Sequence, residues 1–164
     1  MSKTMENLKE AFAGESQANR KYLAFAKQAE KEGHPQAARL FRAVAEAETV
    51  HAHAHLKLMG GIGTTEENLR EALNGETHEF TKMYPQMIDE AKEEGQKAPE
   101  RGFHFANEVE KIHAGLYEKA LQNLGKQAET EMYVCNVCGY TVESQAPEKC
   151  PVCNAVQKAF FKVD

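Results

Sequence analysis

Two Glu-x-x-His units hold the residues of this sequence best suited to chemistry. Glu48 precedes His51 by three positions, and Glu110 precedes His113 with the same spacing. On an α-helix, residues three apart project from the same face about one turn apart, so each unit directs a carboxylate and an imidazole toward one point. Both groups are common metal ligands. A single Glu/His pair is ordinary on a helix surface, but two matching copies predict a metal site.

The two units belong to a longer internal repeat. The segment from Asn7 to Ser16 reappears from Asn68 to Thr77 with changes at four of its ten positions. This places Glu15 and Glu76 at equivalent positions in the two copies. Together with the two Glu-x-x-His units, they predict a carboxylate site with two-fold symmetry, built from two helical hairpins of common design.

Three further residues are candidates for the same site. Glu79 has no counterpart in the first copy, where Ala18 occupies the equivalent position, so one side of the site carries an extra carboxylate. Tyr22 and Tyr84 follow Glu15 and Glu76 by about two helical turns, and either hydroxyl could hydrogen-bond a ligand carboxylate from outside the ligand shell. Packing in the helical core is an equally good interpretation of both tyrosines.

The chain has four cysteines, and all of them lie in two Cys-x-x-Cys units near its C-terminal end. No export signal precedes them, which argues against a disulfide framework. Two such turns can place four thiolates around one ion, so a metal site is the better interpretation. The spacing leaves zinc and iron open. The four ligands would be Cys135, Cys138, Cys150 and Cys153.

Composition excludes several classes of function. The formal net charge is -5 with both signs intermixed, which disfavours nucleic acid or an anionic membrane surface as the main partner. No apolar run is long enough to span a membrane, and the first residues lack the basic and apolar regions of a signal peptide. We therefore expect a cytoplasmic protein.

Hydrophobic periodicity predicts an all-α four-helix bundle over residues 1–125. Each predicted helix carries a carboxylate within its apolar stripe, which is costly unless a cation compensates it, and four such helices indicate a shared site for a pair of metal ions in the bundle core. Pro85 predicts a kink in the third helix. Residues 126–131 form a polar linker, and residues 132–164 form a small four-cysteine domain. The predicted helices run from about Thr4 to Glu32, from Pro35 to Gly60, from Thr64 or Thr65 to Gly95, and from Pro99 to Gly125.

With these motifs in view, nearly the whole chain resembles a rubrerythrin, a ferritin-like di-iron four-helix bundle followed by a rubredoxin-like domain. The most specific pieces are the two Glu-x-x-His units, Phe12-Ala13-Gly14-Glu15-Ser16, Gly75-Glu76-Thr77-His78-Glu79 and Cys150-Pro151-Val152-Cys153. Asn154 departs from the pattern, because rubredoxin-like modules usually carry Gly there. This departure bears on the reduction potential of the four-cysteine centre.

The resemblance implies a set of cofactors and ligand roles. It implies two irons in the helical domain and one in the four-cysteine domain, with zinc as the alternative metal. Glu79 and His51 would be the pair that exchanges at one iron when the site is reduced, which makes them the candidate catalytic residues. The remaining roles are Glu48 and Glu110 as bridges between the metals, Glu15 on one iron, and Glu76 with His113 on the other.

The resemblance also implies an activity, the reduction of hydrogen peroxide to water in defence against oxidative stress. Electrons would come from a reduced donor protein, either a rubredoxin or an NAD(P)H-dependent reductase, and would pass through the rubredoxin-like centre. Two alternatives remain at this point. One is a ferroxidase or iron-handling protein, which has no use for a four-cysteine electron-transfer module, and the other is a zinc-loaded structural protein.

The connection between the second and third helices predicts a homodimer. A two-fold-symmetric site requires these helices to run parallel, so the chain must return along a helix about 36 Å long. The five residues from Gly60 to Thr64 reach only about 20 Å. Exchange of hairpins between two chains solves this, whereas an up-down-up-down monomer has short enough loops but an asymmetric site. Each site would then combine Glu15, Glu48 and His51 of one chain with Glu76, Glu79, Glu110 and His113 of its partner.

Overall fold

A computed structural model of the chain describes residues 2–126 and 128–163. Gln127, inside the predicted linker, lies outside the described residues, as do Met1 and Asp164. The described part is mostly helical and ends in a small antiparallel sheet. Its helices are α1 (Lys3–Lys31), α2 (Pro35–Leu58), α3 (Thr65–His78), a π-helical turn (Glu79–Met83), α4 (Tyr84–Glu93) and α5 (Lys97–Gln122).

The helix ends follow local sequence signals. The Thr64 hydroxyl accepts from the Glu67 N–H while the Glu67 carboxylate accepts from the Thr64 N–H, a complete capping box at the start of α3. Gly33 follows α1 and Gly95 follows α4, with φ values of 79° and 70°. This left-handed conformation costs glycine little. α5 begins at Lys97, two residues before the predicted start at Pro99.

The irregularity predicted at Pro85 takes the form of a π-helical turn just before it. The N–H of Tyr84 donates to the carbonyl of Glu79, five residues earlier. Proline has no N–H to continue the regular α-helical pattern, and single π-helical turns are frequent at functional sites. The turn begins at Glu79, the one candidate ligand without an equivalent in the first repeat.

The chain divides between Gly63 and Thr64 into two compact units. The first unit is the α1–α2 hairpin, whose core consists of small residues: Ala26, Ala29 and Ala38 are buried, with Phe41 packed against them. Alanine at the contact lets two helix backbones approach closely.

The second unit contains the second hairpin and the four-cysteine module. α3 and α4 both pack against α5, in which Val109 and Ala114 are buried. The module has three strands, β1 (Met132–Cys135), β2 (Thr141–Glu143) and β3 (Phe160–Val163). They form an antiparallel sheet in the order β2-β1-β3.

No helix in the described ranges is both long enough and apolar enough to cross a membrane.

Candidate metal centres

The first hairpin brings three of the predicted ligands together. Glu15 lies on α1, while Glu48 and His51 lie one turn apart on α2. Their ligand atoms are all within 4.8 Å of one another. The Nδ1 atom of His51 is 3.0 Å from a Glu48 oxygen and 3.9 Å from a Glu15 oxygen. The His51 side chain is 56% exposed.

The second hairpin contains the equivalent cluster. Glu76 lies on α3, while Glu110 and His113 lie on α5. The Nδ1 atom of His113 is 2.7 Å from a Glu110 oxygen and 3.6 Å from a Glu76 oxygen. This histidine is only 24% exposed. The internal repeat therefore yields two three-residue clusters with the same donor atoms, and each hairpin carries one.

Both clusters have the chemistry and spacing of metal ligands. Adjacent oxygen or nitrogen ligands about 2.1 Å from an ion lie about 3 Å apart, and each histidine has a carboxylate oxygen at about that distance. The second cluster also crowds negative charge. Burial, together with the neighbouring Glu110 carboxylate, raises the pKa of Glu76. A cation bound between these groups would compensate the crowding.

The remaining helical candidates, Glu79, Tyr22 and Tyr84, are not members of either cluster in the described residues. Burial and the charges of Glu110, Glu79 and Glu76 raise the pKa of Tyr84, so its ring lies within the electrostatic reach of the second cluster. Tyr22 packs in the first hairpin core, with its ring centroid 6.2 Å from that of Phe41. A hydrogen bond from either tyrosine to a ligand carboxylate stays a prediction.

The four cysteines converge on one point in the terminal module. The Sγ atoms of Cys135 and Cys153 are 3.7 Å apart, and those of Cys138 and Cys150 are 3.5 Å apart. Four thiolates about 2.3 Å from a central ion in tetrahedral geometry are about 3.8 Å apart, so the sulfur atoms already approach the dimensions of a metal site. Burial raises the pKa of the Cys138 thiol, which indicates that its thiolate depends on a bound cation.

The backbone of each Cys-x-x-Cys turn has the conformation that such a site requires. Gly139, directly after Cys138, has a φ of 86°, and Asn154, directly after Cys153, has a φ of 61°. Asparagine tolerates this left-handed region better than most residues. The replacement of glycine by Asn154 therefore leaves the turn geometry intact.

The four-cysteine module contacts the second ligand cluster directly. The Nε2 atom of His113 lies 3.0 Å from the Thr141 hydroxyl oxygen and 3.3 Å from the Gly139 carbonyl oxygen. Sequence analysis did not identify Thr141 or Gly139 as functional. They are more than 25 residues from His113, and no periodic pattern connects a strand of one domain to a helix of another.

A pocket with a volume of about 310 Å³ adjoins this contact. Thr141 and Met132 of the module line it, together with Glu76 and His113 of the ligand cluster. Its volume far exceeds that of a water molecule, so there is room for a small molecule beside the cluster.

Removal of metal is expected to destabilise the helical domain. Metal at about 100 times its dissociation constant contributes about 2.7 kcal/mol, which corresponds to about 5–11 °C in melting temperature for a chain of this size. The pKa of Glu76 is raised in the folded metal-free chain, so the folded state binds a proton more tightly than the unfolded state does. The free energy of unfolding of the metal-free protein should therefore increase as the pH falls through that pKa. Circular-dichroism melts of chelated and iron-reconstituted protein test both points. Equal melting temperatures with and without iron would contradict the first.

Comparison with known proteins matches both parts of this architecture. A model of the rubrerythrin family matches residues 6–121. A model described as the rubredoxin-like domain of rubrerythrin matches residues 133–161. The fold and the sites thus define a class of protein with a ferritin-like helical domain, which carries carboxylate/histidine candidates for a di-iron site, and a rubredoxin-like domain with four clustered cysteines.

Relatives extend over nearly the whole chain. Rubrerythrin-2 of Clostridium acetobutylicum is 35% identical over 96% of this chain and 95% of its own length. Nigerythrin of Nitratidesulfovibrio vulgaris is 37% identical over 92% of this chain and 81% of its own. A solved structure of nigerythrin in its fully reduced, all-ferrous state superimposes with a TM-score of 0.61 at 34% identity, covering 99% of this chain and 88% of that one. The chain belongs to the rubrerythrin family.

Proposed function

We propose that this protein is a peroxidase that reduces hydrogen peroxide to water with electrons delivered through its four-cysteine centre. The observation that carries the proposal is the contact between His113 and the four-cysteine module, because it joins an electron-transfer site to a candidate ligand of the di-iron site. The reaction consumes two electrons and two protons and yields two molecules of water. An iron-storage role gives no reason for this contact.

The chain's own residues would hold the reacting site and balance its charge. When bound, two ferrous ions supply the two electrons that cleave the peroxide bond. As the family resemblance implies, Glu48 and Glu110 would bridge such a pair, with Glu15 and Glu76 as terminal ligands. Carboxylates stabilise the higher charge that remains after oxidation. The pocket beside Glu76 and His113 gives peroxide an approach to this site.

Electrons would enter through the four-cysteine module from a reduced donor protein, either a rubredoxin or an NAD(P)H-dependent reductase. Val137, between the first two cysteines, is 62% exposed. Because this turn carries two of the thiolates, its outer surface is a suitable point for a donor to approach. The module contacts α5 through Gly139 and Thr141, so electrons would leave the four-cysteine centre toward His113.

We further propose that Glu79 and His51 exchange as ligands during the redox cycle. His51 is more than half exposed, and among the described residues its Nε2 atom has no hydrogen-bond partner. Glu79 stands at the start of the π-helical turn, where the backbone departs from regular helix geometry. Glu79 also has no counterpart in the first repeat, where Ala18 stands, so only one side of the site offers an additional carboxylate.

The function is tested by steady-state peroxide reduction with a reduced donor protein, comparing the wild-type protein with Glu79→Ala. We expect Glu79→Ala to bind iron normally but to turn over at least about 10-fold more slowly. Loss of a group that supports a metal site typically lowers activity about 10–100-fold, and this expectation takes the lower end of that range. Glu71→Ala is the matched control, since Glu71 is exposed on α3. Unchanged kinetics in Glu79→Ala would remove the ligand exchange. A wild-type protein that oxidises iron with dioxygen but leaves peroxide untouched would overturn the peroxidase assignment.

We also propose that the protein is a homodimer in which chains exchange hairpins. Only six residues separate the end of α2 at Leu58 from the start of α3 at Thr65, too few to return along a helix of 24 residues.

A further inference from the structure

The two histidines of the internal repeat have different surroundings. Both direct Nδ1 toward carboxylates of their own cluster. On the opposite side of the ring, His113 faces a hydroxyl and a carbonyl of the four-cysteine module, whereas His51 has no such partner within the described residues and is more than twice as exposed. The difference originates outside the repeat, in the terminal module.

The hydrogen bonds around His113 form a chain with a consistent direction. With a metal ion on Nδ1, the ring proton must be on Nε2, which can then only donate. The Thr141 oxygen, 3.0 Å away, can accept this proton because its own hydroxyl hydrogen is donated to the Gly139 carbonyl, also 3.0 Å away. The Gly139 carbonyl offers a second acceptor to Nε2 at 3.3 Å.

Thr141 is itself held firmly enough to orient another side chain. It is the first residue of β2 and lies opposite Val134 of β1 in the sheet register. Gly139 is fixed by its N–H bond to the Cys135 carbonyl, at 2.8 Å. An ion pair between Lys119 of α5 and Glu143 of β2 supports the same junction.

We propose that Thr141 is a positioning residue that fixes the ring and tautomer of His113 as a metal ligand. The inference deepens the proposed function, since it concerns the same di-iron site, but it does not depend on the reaction that the site performs. A hydrogen-bond partner on the distal nitrogen of a metal-bound histidine orients the ring and increases its basicity. The Thr141 hydroxyl, 3.0 Å from Nε2 of His113, is in position to do both.

The first test measures ferrous binding to the full chain under anaerobic conditions, by competition with a ferrous chelator and without peroxide or donor. Thr141→Val removes the hydroxyl but keeps the branched shape, and it should weaken one of the two helical irons by about 10–100-fold. Thr141→Ser keeps the hydroxyl that contacts His113, so no hydrogen-bond partner of the ligand is lost. This variant should bind iron within about 3-fold of the wild-type affinity. The absorption of the iron held by the four cysteines serves as an internal control for folding of the module.

The second test reads the histidine directly and needs no variant. In zinc-loaded wild-type protein, which is diamagnetic, nitrogen-detected spectra of the imidazoles should show the His113 proton on Nε2 and protected from solvent exchange. A proton on Nδ1 of His113, or rapid solvent exchange of its Nε2 proton, would overturn the proposal. So would a Thr141→Val protein with an intact four-cysteine iron spectrum and wild-type affinity for both helical irons. A wild-type protein that binds iron as expected but fails to reduce peroxide would refute the proposed function alone.

Discussion

Cys138→Ser is expected to abolish peroxide turnover driven by a reduced donor protein, with a loss of at least about 100-fold. The substitution removes one of the four thiolates and leaves a ligand that is poor for iron. The helical ligand clusters contain no cysteine, so they should still bind iron. After chemical reduction, the variant should therefore react once with peroxide in a single-turnover experiment, which absorbance changes of the helical site can follow.

The matched control is Gln145→Ser, which introduces the same side chain into the same module but away from the turn proposed to receive the donor. Gln145 is exposed and is not a ligand, so this variant should keep both the absorption of the four-cysteine iron and most of the turnover. If Cys138→Ser turned over normally with the same donor, electrons would not pass through the four-cysteine centre. If it failed in single turnover as well, the two sites would not have the separate roles proposed above.

Lengthening the connection between α2 and α3 is expected to convert a dimer into metal-loaded monomers. An insertion of about a dozen Gly/Ser residues after Gly61 adds about 40 Å of maximum reach, enough to return along α2. Pairing of the two hairpins within one chain then has an effective concentration near the millimolar range, which exceeds that of a second chain at micromolar protein. Light scattering combined with iron analysis measures both outcomes.

An insertion of the same length after Gly95 is the control. This turn joins α4 to α5, which pack against each other within one hairpin, so a longer loop there gives no new way to pair the hairpins. That variant should remain dimeric. A wild-type monomer carrying two helical irons would refute hairpin exchange, as would a dimer that persists unchanged with the longer connection.

Much of the helical architecture was predictable because its signals are local or periodic. The predicted ends of the first two helices agree with the structure to within two residues. Glu-x-x-His spacing placed the two histidines beside carboxylates, and the repeat supplied the third member of each cluster, Glu15 and Glu76. The convergence of the four cysteines followed from the spacing of two short turns.

Other features were not predictable, because they depend on contacts between distant parts of the chain. The π-helical turn arises where Pro85 interrupts a regular helix, and sequence shows the interruption but not how the backbone resolves it. The contact of Thr141 with His113 joins a strand to a helix across the predicted domain boundary. Hydrophobic periodicity describes which face of an element is buried, but it does not identify the element that buries it.

The duplicated hairpin has a consequence for how this metal site could have evolved. A chain that duplicates one hairpin acquires two equivalent ligand clusters, each with one Glu from one helix and a Glu-x-x-His unit from the next. Two ions held by identical ligands would have no preferred position at which ligands rearrange. In this chain Glu79 and the π-helical turn lie in the second copy, and the hydroxyl of Thr141, from the terminal module, contacts the histidine of that copy. Each departure from the symmetry of the repeat makes the surroundings of the two clusters less alike, as the proposed ligand exchange at one iron requires.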